Sequence, residues 1–181
     1  PESQDKTTFV TPTGSWKYRY LPFGLKLAPF YFQALMARVL SGLTFNHTLA
    51  FIDDVLVYSG DFDEHLNHIE QAFERLRLAK LKLHPRKCSF AMRSLEYLGH
   101  NLSEQGLMKC SDKMKIVETW PTPRTLKELR SFTGFCNYYR RYVYNFSSYI
   151  AAFGNLLKKG SPFIWTNEHQ VAFDELKRLM C

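Results

Sequence analysis

The chain has 181 residues, 24 Lys+Arg against 17 Asp+Glu and a formal net charge of +7, with 45 % hydrophobic and 15 % aromatic residues. That composition belongs to a folded protein of one domain, or one domain and a small second one, and excludes a long disordered tail. No apolar run approaches the roughly 20 residues of a membrane span, and the polar start from Pro1 to Thr8 is no signal peptide, so no membrane partner is expected.

The charge is uneven. Residues 1–60 carry five Lys/Arg and four Asp/Glu, whereas residues 61–181 carry nineteen and thirteen, so a net +6 lies in the later part. Arg75 to Arg93 holds seven basic residues and no carboxylate, which reads either as a solvated face or as a surface for a polyanion. Cys88, Cys110, Cys136 and Cys181 share no CxxC spacing, which predicts reduced, individually buried thiols and an intracellular setting, cytoplasmic or nuclear. His65 and His68, with His84 and Cys88, match no zinc module and read as surface residues.

In chain order, Thr7–Val10 and Lys17–Tyr20 read as strands around a Thr11-Pro12-Thr13-Gly14 turn. Pro29 suits the first turn of a helix whose apolar face is Phe32, Leu35, Met36, Val39 and Leu40. From Thr48 to Tyr58 two apolar runs flank Asp53 and Asp54, which predicts a hairpin with both aspartates at its tip. An amphipathic helix follows, with Leu66, Ile69, Phe73 and Leu76 on its apolar face. Leu81–Leu83, Phe90–Met92 and Tyr97–Asn101 are short strand candidates. After Gly106 the pattern turns helical, near Ser111–Trp120, Thr125–Tyr144, Tyr149–Lys158 and Thr166–Met180. Thr125 and Glu128 form a capping box, and Leu126, Leu129, Phe132, Cys136, Tyr139 and Val143 form the stripe behind it. The expected class is α+β: an antiparallel sheet with helices over residues 1–109, then a small helical subdomain over residues 110–181.

Adjacent carboxylates repel, and at the edge of an apolar hairpin that repulsion is relieved by a cation or by full exposure on a turn. Oxygen ligands of this kind suit Mg²⁺, which takes one or two carboxylates together with substrate phosphates. Two such ions about 4 Å apart activate an attacking hydroxyl and stabilise the leaving oxygen in phosphoryl transfer.

Phe51-Ile52-Asp53-Asp54 resembles the [YF]-x-D-D hairpin of reverse transcriptases in their LTR-retrotransposon, Ty3/Gypsy-like form. Leu21-Pro22-Phe23-Gly24-Leu25, Ala28-Pro29 and Phe32-Gln33 resemble the family's LPFGL-x-x-AP-x-x-FQ segment, and Tyr97-Leu98-Gly99-His100 its primer-grip hairpin. Trp120-Pro121, Leu129 to Phe132, Gly134, Tyr138 to Arg141 and Leu156 to Gly160 are similar to its thumb.

The resemblance implies a partial polymerase palm followed by a thumb, from an RNA-directed DNA polymerase. Asp53 and Asp54 would bind Mg²⁺ (or Mn²⁺), and Lys87 would be the general acid for pyrophosphate, unless it is only an exposed loop lysine. Leu21, Pro22, Phe23, Gly24, Gln33 and Phe51 would face nucleotide and template. Leu98, Gly99 and His100 would press on the primer, and Arg130, Gly134 and Tyr138 would lie along an RNA/DNA duplex. A capped helix with Arg130, Arg140 and Arg141 among Tyr138, Tyr139 and Tyr142 supports phosphate and stacking contacts on its own terms, although Tyr139 and Tyr142 read as core.

Three departures stand out. The family's third metal-binding aspartate has no counterpart, since Asp5 is the only other aspartate before Asp53, and the fingers residues and an RNase H region are missing with it. Leu27 and Phe30 replace a polar and a small residue, so Phe30 is expected to narrow the nucleotide pocket. Phe51 replaces the commoner Tyr. The chain is therefore expected not to polymerise alone, and without fingers to expose apolar surface that invites a protein partner or self-association. The alternative is a domesticated, inactive module that scaffolds protein or binds nucleic acid.

Overall fold

The computed structural model describes residues 3–181 and divides them between Met92 and Arg93 into two units. The strands pair antiparallel with one another, in two hairpins in the first unit and a three-stranded sheet in the second. The α+β expectation holds, as three small sheets rather than one.

The first unit opens with β1 (Phe9–Thr11) and β2 (Gly14–Trp16), paired from Thr11 opposite Gly14. The second strand thus lies ahead of the expected Lys17–Tyr20. The Thr11 hydroxyl, which donates to the Gly14 carbonyl at 3.1 Å and accepts from Trp16 Nε1 at 3.1 Å, closes the loop at Pro12-Thr13. Helix α1 (Ala28–Val39) starts on Pro29 as expected and buries Met36. Strands β3 (Thr48–Phe51) and β4 (Asp54–Val57) pair in full register, and α2 (Phe62–Leu78) follows, its N-terminus capped by the Asp61 carboxylate at 2.8 Å from the Glu64 N–H. Met36, Leu40, Leu43 and Leu76 form the core, with Phe32, Val39, Ala50, Val55 and Leu81 against it. Leu66 and Phe73, expected to be inside, are exposed, as are Tyr20, Phe23, Phe30 and Phe45.

Leu81–Leu83 forms no strand, because it terminates α2. Lys80 takes φ +57°, the Lys80 N–H bonds to Arg77 and the Leu81 N–H to Leu76, both backbone carbonyls, and Leu81 packs on Leu76. This is a Schellman end with Lys in the position Gly usually takes. Phe90–Met92 is irregular as well, with Ala91 at φ +51°.

In the second unit β5 (Ser94–Tyr97), β6 (His100–Ser103) and β7 (Gly106–Lys109) form a meander. Helices α3 (Ser111–Glu118), α4 (Leu126–Tyr138), α5 (Phe146–Ala151), α6 (Gly154–Leu157) and α7 (Asn167–Met180) follow. The expected boundary at residue 109 differs from the one at 92 because this sheet belongs with the helices: Lys109 Nζ donates to the Met180 carbonyl at 2.8 Å, and α4 tyrosines bond the β5–β6 turn. The long helix expected to Tyr144 stops at Tyr138 and tightens into a 3₁₀ turn, Arg140–Tyr142, and the one expected over Tyr149–Lys158 splits into α5 and α6. The Thr125 hydroxyl caps α4 as predicted, at 3.3 Å from the Glu128 N–H, while the Glu128 carboxylate takes the Arg124 N–H at 2.7 Å. Leu129, Phe132, Cys136, Tyr139 and Val143 are buried with Phe153, Leu156, Phe173, Leu176 and Met180.

All four cysteines are free. Cys110 and Cys136 are buried, Cys88 half-buried, and Cys181 exposed because it ends α7. Burial pushes the Cys136 thiol up to about 12. Among the described residues no helix is long and apolar enough to cross a membrane.

His68 is not a surface residue. Its ring stacks on buried His47 with centroids 3.7 Å apart and planes 3° from parallel, and its Nδ1 lies 2.7 Å from the Ser59 hydroxyl. Burial, then the neighbouring His68, holds the His47 pKa below its ordinary 6.5. The folded state therefore resists a proton that the unfolded chain accepts. The stability linked to His47 is full above pH 6.5 and falls as the pH drops from there through the lower folded value. Denaturant midpoints at pH 7.5 and 5.5 are expected to show a loss on acidification that is smaller in His47→Gln.

Candidate functional site

The hairpin carrying the two aspartates turns through Ile52 and Asp53, and Asp54 is already the first residue of β4, opposite Phe51. Asp53 alone thus occupies the turn, and both carboxyl residues are exposed. Ile52 takes φ +55°. A two-residue hairpin matches the twist of its strands only with positive φ at a central position, usually supplied by Gly or Asn. A β-branched residue there is strained.

Gln33, on α1, holds that conformation. Its Nε2 donates to the Ala50 carbonyl at 3.2 Å, and its Oε1 accepts the Ile52 N–H. Both ends of the amide are engaged by the hairpin backbone, so Gln33 positions Asp53 rather than offering its amide outward. Its signal in the sequence was a lone amide beside the apolar face of α1.

Leu21, Phe23 and Gly24 are exposed, and Pro22 is half-buried, in a turn where Gly24 takes φ +87°. Phe51 is exposed at the hairpin mouth. Leu27 and Phe30 are exposed too, Phe30 edge-on to Tyr31 with centroids 5.7 Å apart. Lys87 sits exposed on a 3₁₀ turn, Pro85–Lys87, with no ion pair among the described residues.

In the second unit Leu98 and Gly99 form the tight turn between β5 and β6, with φ +49° and +73°. The Tyr138 hydroxyl donates to the Leu98 carbonyl, the Tyr139 hydroxyl to Gly99 at 2.9 Å, and the Tyr142 hydroxyl lies 2.9 Å from His100 Nδ1. Burial first, then Arg141, lowers the His100 pKa, and burial pushes Tyr139 up to about 12. Tyr139 is core, as expected, and Tyr142 is half-buried. Arg130, Gly134 and Tyr138 share one exposed face of α4, and nothing lies within 4 Å of where a Gly134 Cβ would stand.

Adjacent aspartates are hard oxygen donors that fit Mg²⁺ or Mn²⁺ as part of a ligand set. Among the described residues no group of three or more His, Cys, Asp or Glu side chains could hold a metal ion, so the pair fits as a fraction of a site and not as a complete one.

A strand–turn–strand bearing Asp53 and Asp54 between two helices, α1 against β3 and α2 against β4, is followed in the chain by a sheet and a set of helices, and this order is matched by a known polymerase family. The family model described as "Reverse transcriptase (RNA-dependent DNA polymerase)" matches residues 1–102, and the chain belongs to that family. It is a reverse-transcriptase domain of retrotransposon, Ty3/Gypsy-like origin. It is 39 % identical over 175 residues to the retrovirus-related Pol polyprotein from transposon 412 of Drosophila melanogaster, covering 97 % of the chain and 14 % of that protein. It is 30 % identical over 177 residues to the transposon Tf2-3 polyprotein of Schizosaccharomyces pombe, covering 98 % of the chain and 13 % of the polyprotein. The chain thus spans about a seventh of the length of these relatives. Among solved structures it is similar to the foamy viral protease–reverse transcriptase in complex with double-stranded DNA, with TM-score 0.88, 26 % identity, and 99 % of this chain and 32 % of that one covered. The same protein in complex with an RNA/DNA hybrid gives TM-score 0.82 at 26 % identity, covering 99 % of this chain and 24 % of that one.

Gln33→Ala is expected to lower stability by about 1–3 kcal/mol, because it leaves the Ile52 N–H and Ala50 carbonyl without their partner. Gln33→Glu gives only partial rescue, since a carboxylate accepts the Ile52 N–H but cannot donate to Ala50. Urea titration of the three proteins measures both effects.

Proposed function

We propose that these residues are the palm and thumb part of an RNA-directed DNA polymerase and that they grip an RNA/DNA duplex. The observation that carries this reading is the Asp53-Asp54 hairpin, stapled by Gln33, in a chain whose fold matches a reverse transcriptase in complex with duplexes. Asp53 and Asp54 supply carboxylates to Mg²⁺ or Mn²⁺. When bound, the ion polarises phosphate oxygens and stabilises developing charge. Leu21, Pro22, Phe23, Gly24 and Phe51 face nucleotide and template, and Lys87 is placed as proton donor to the leaving group. Leu98, Gly99 and His100 support the primer strand, while Arg130, Gly134 and Tyr138 lie along the duplex.

The family's remaining metal-binding aspartate has no counterpart within these residues. Asp5 is exposed and tied to Lys17 at 2.7 Å, and that pairing holds its carboxyl below the usual range. A cluster short of one carboxylate leaves phosphate charge poorly neutralised, so the 181 residues alone bind duplex without extending a primer. A second reading, a duplex-binding module that keeps the fold without catalysis, shares the duplex contacts and drops the chemistry.

Primer extension on an RNA template with Mg²⁺ or Mn²⁺ tests both readings. No extension is expected, and robust extension abolished by Asp53→Asn would overturn the expectation. Binding of an RNA/DNA duplex is expected to weaken steeply with salt. Arg130→Ala should reduce the slope of log K against log[salt] by about 0.9 if it contacts one phosphate. Gly134→Ala gains helix propensity of about 0.5–1 kcal/mol, so it should raise thermal stability while weakening duplex affinity. Stability and affinity rising together would remove α4 from the interface.

A further inference from the structure

The turn between β5 and β6 is held by more hydrogen bonds than a hairpin of two residues requires. Positive φ at both central positions defines a type I′ turn, for which Asn-Gly is the favoured sequence. Here Leu98 takes the first position at φ +49°, a conformation a bulky residue rarely adopts. Both turn carbonyls are then captured from outside, Leu98 by the Tyr138 hydroxyl and Gly99 by the Tyr139 hydroxyl at 2.9 Å. A Cβ on Gly99 would stand 3.1 Å from the Tyr139 oxygen, a tight contact on a backbone already at φ +73°, so any side chain there is strained. The next residue, His100, stacks on Tyr138 with centroids 5.2 Å apart and planes 15° from parallel.

The third hydroxyl acts on the imidazole. Tyr142 Oη lies 2.9 Å from His100 Nδ1. Burial and the nearby Arg141 favour the neutral ring, and burial keeps the Tyr142 phenol protonated. A phenol O–H is a better donor than acceptor, so Tyr142 donates to Nδ1 and the ring hydrogen sits on Nε2. Nε2 has no hydrogen-bond partner among the described residues, on a ring that is half-buried. The groups around the ring are Tyr138 at the end of α4, Tyr139 just past it, Tyr142 and Arg141 from the 3₁₀ turn, and the cross-strand neighbours Tyr97 and Lys109. Lys109 donates to the Met180 carbonyl and keeps its charge, so Lys109 and Arg141 both add to an anion's attraction.

The geometry points to Tyr138, Tyr139 and Tyr142 as positioning residues of a phosphate-binding turn: they lock Leu98 and Gly99 and hold His100 with its Nε2–H as donor to a backbone phosphate oxygen of the duplex. This rests on the duplex-binding reading above.

Tyr142→Phe, made in the full 181-residue chain, removes one oxygen and tests it. Long-range ¹H–¹⁵N spectra are expected to show the Nε2–H tautomer of His100 in the wild type and a tautomer mixture in the variant. Affinity for an RNA/DNA hybrid is expected to fall about three- to tenfold, because the donor to an ionised phosphate oxygen is no longer fixed. The salt slope should not change, because a neutral donor displaces no counterion. His100→Phe keeps the stack on Tyr138 without a donor and should show the same loss, which covers the case in which Tyr142→Phe folds poorly. The wild-type tautomer in Tyr142→Phe, wild-type affinity in either variant, or a slope reduced by about 0.9, would overturn the inference while duplex binding itself stands. A wild-type chain that binds no duplex would instead overturn the functional reading and the phosphate contact together.

Discussion

Two-residue hairpins match the right-handed twist of their strands only when a central residue enters the left-handed region. At both turns that matter for function this demand falls on a bulky side chain, Ile52 in the first unit and Leu98 in the second. Neither residue favours the conformation, so each turn is fixed by a side chain reaching in from a distant helix. Gln33 spans the backbone on both sides of the Ile52 turn, and Tyr138 and Tyr139 take both carbonyls of the Leu98 turn. The position of Asp53, and the presentation of the 98–100 turn, depend on these clamps. Strain of this kind persists where surrounding structure over-determines the backbone, and such places cluster at sites that must not move.

Local signals made much of this legible. Apolar runs around Asp53-Asp54 marked the hairpin, Pro29 the start of α1, and Thr125 with Glu128 the start of α4. Signals that depend on distance did not show. Gln33 acts 19 residues away from Ile52, and the tyrosines act 40 residues from the turn they hold. The split at Met92 was equally hidden, since it depends on which helices the β5–β7 sheet packs against and not on a break in composition. His47 carried no pattern either, because its stack on His68 is created only when the chain just ahead of β3 folds onto α2. The end of α4 carries no mark in the sequence for a related reason: a 3₁₀ turn at Arg140–Tyr142 replaces the Gly or Pro that ordinarily announces a helix end, as Lys80 in a left-handed cap does for α2.

The two units reach order by different routes. The second buries Phe132, Phe153, Phe173 and Met180 completely, so aromatic packing fixes α4 and α7. The first has four residues in its core cluster and leaves Tyr20, Phe23 and Phe45 in solvent. Its hairpin is therefore more dependent on hydrogen bonds such as those of Gln33. That dependence also explains why an amide, and not another apolar residue, stands beside the buried face of α1.

Gly99 and Gly134 separate what the chain requires of itself from what it does not. Gly99 has two internal reasons: φ of +73° and a tyrosine oxygen 3.1 Å from where a Cβ would be. Gly134 has neither, since it sits in a regular helix with no atom near a prospective Cβ, and Ala would favour that helix. A residue that weakens its own helix and relieves no contact inside the fold is accounted for by something that approaches the helix from outside. The duplex proposed above is such a partner: a nucleic-acid backbone lying along Arg130, Gly134 and Tyr138 would gain closeness at Gly134, charge at Arg130 and a stacking surface at Tyr138.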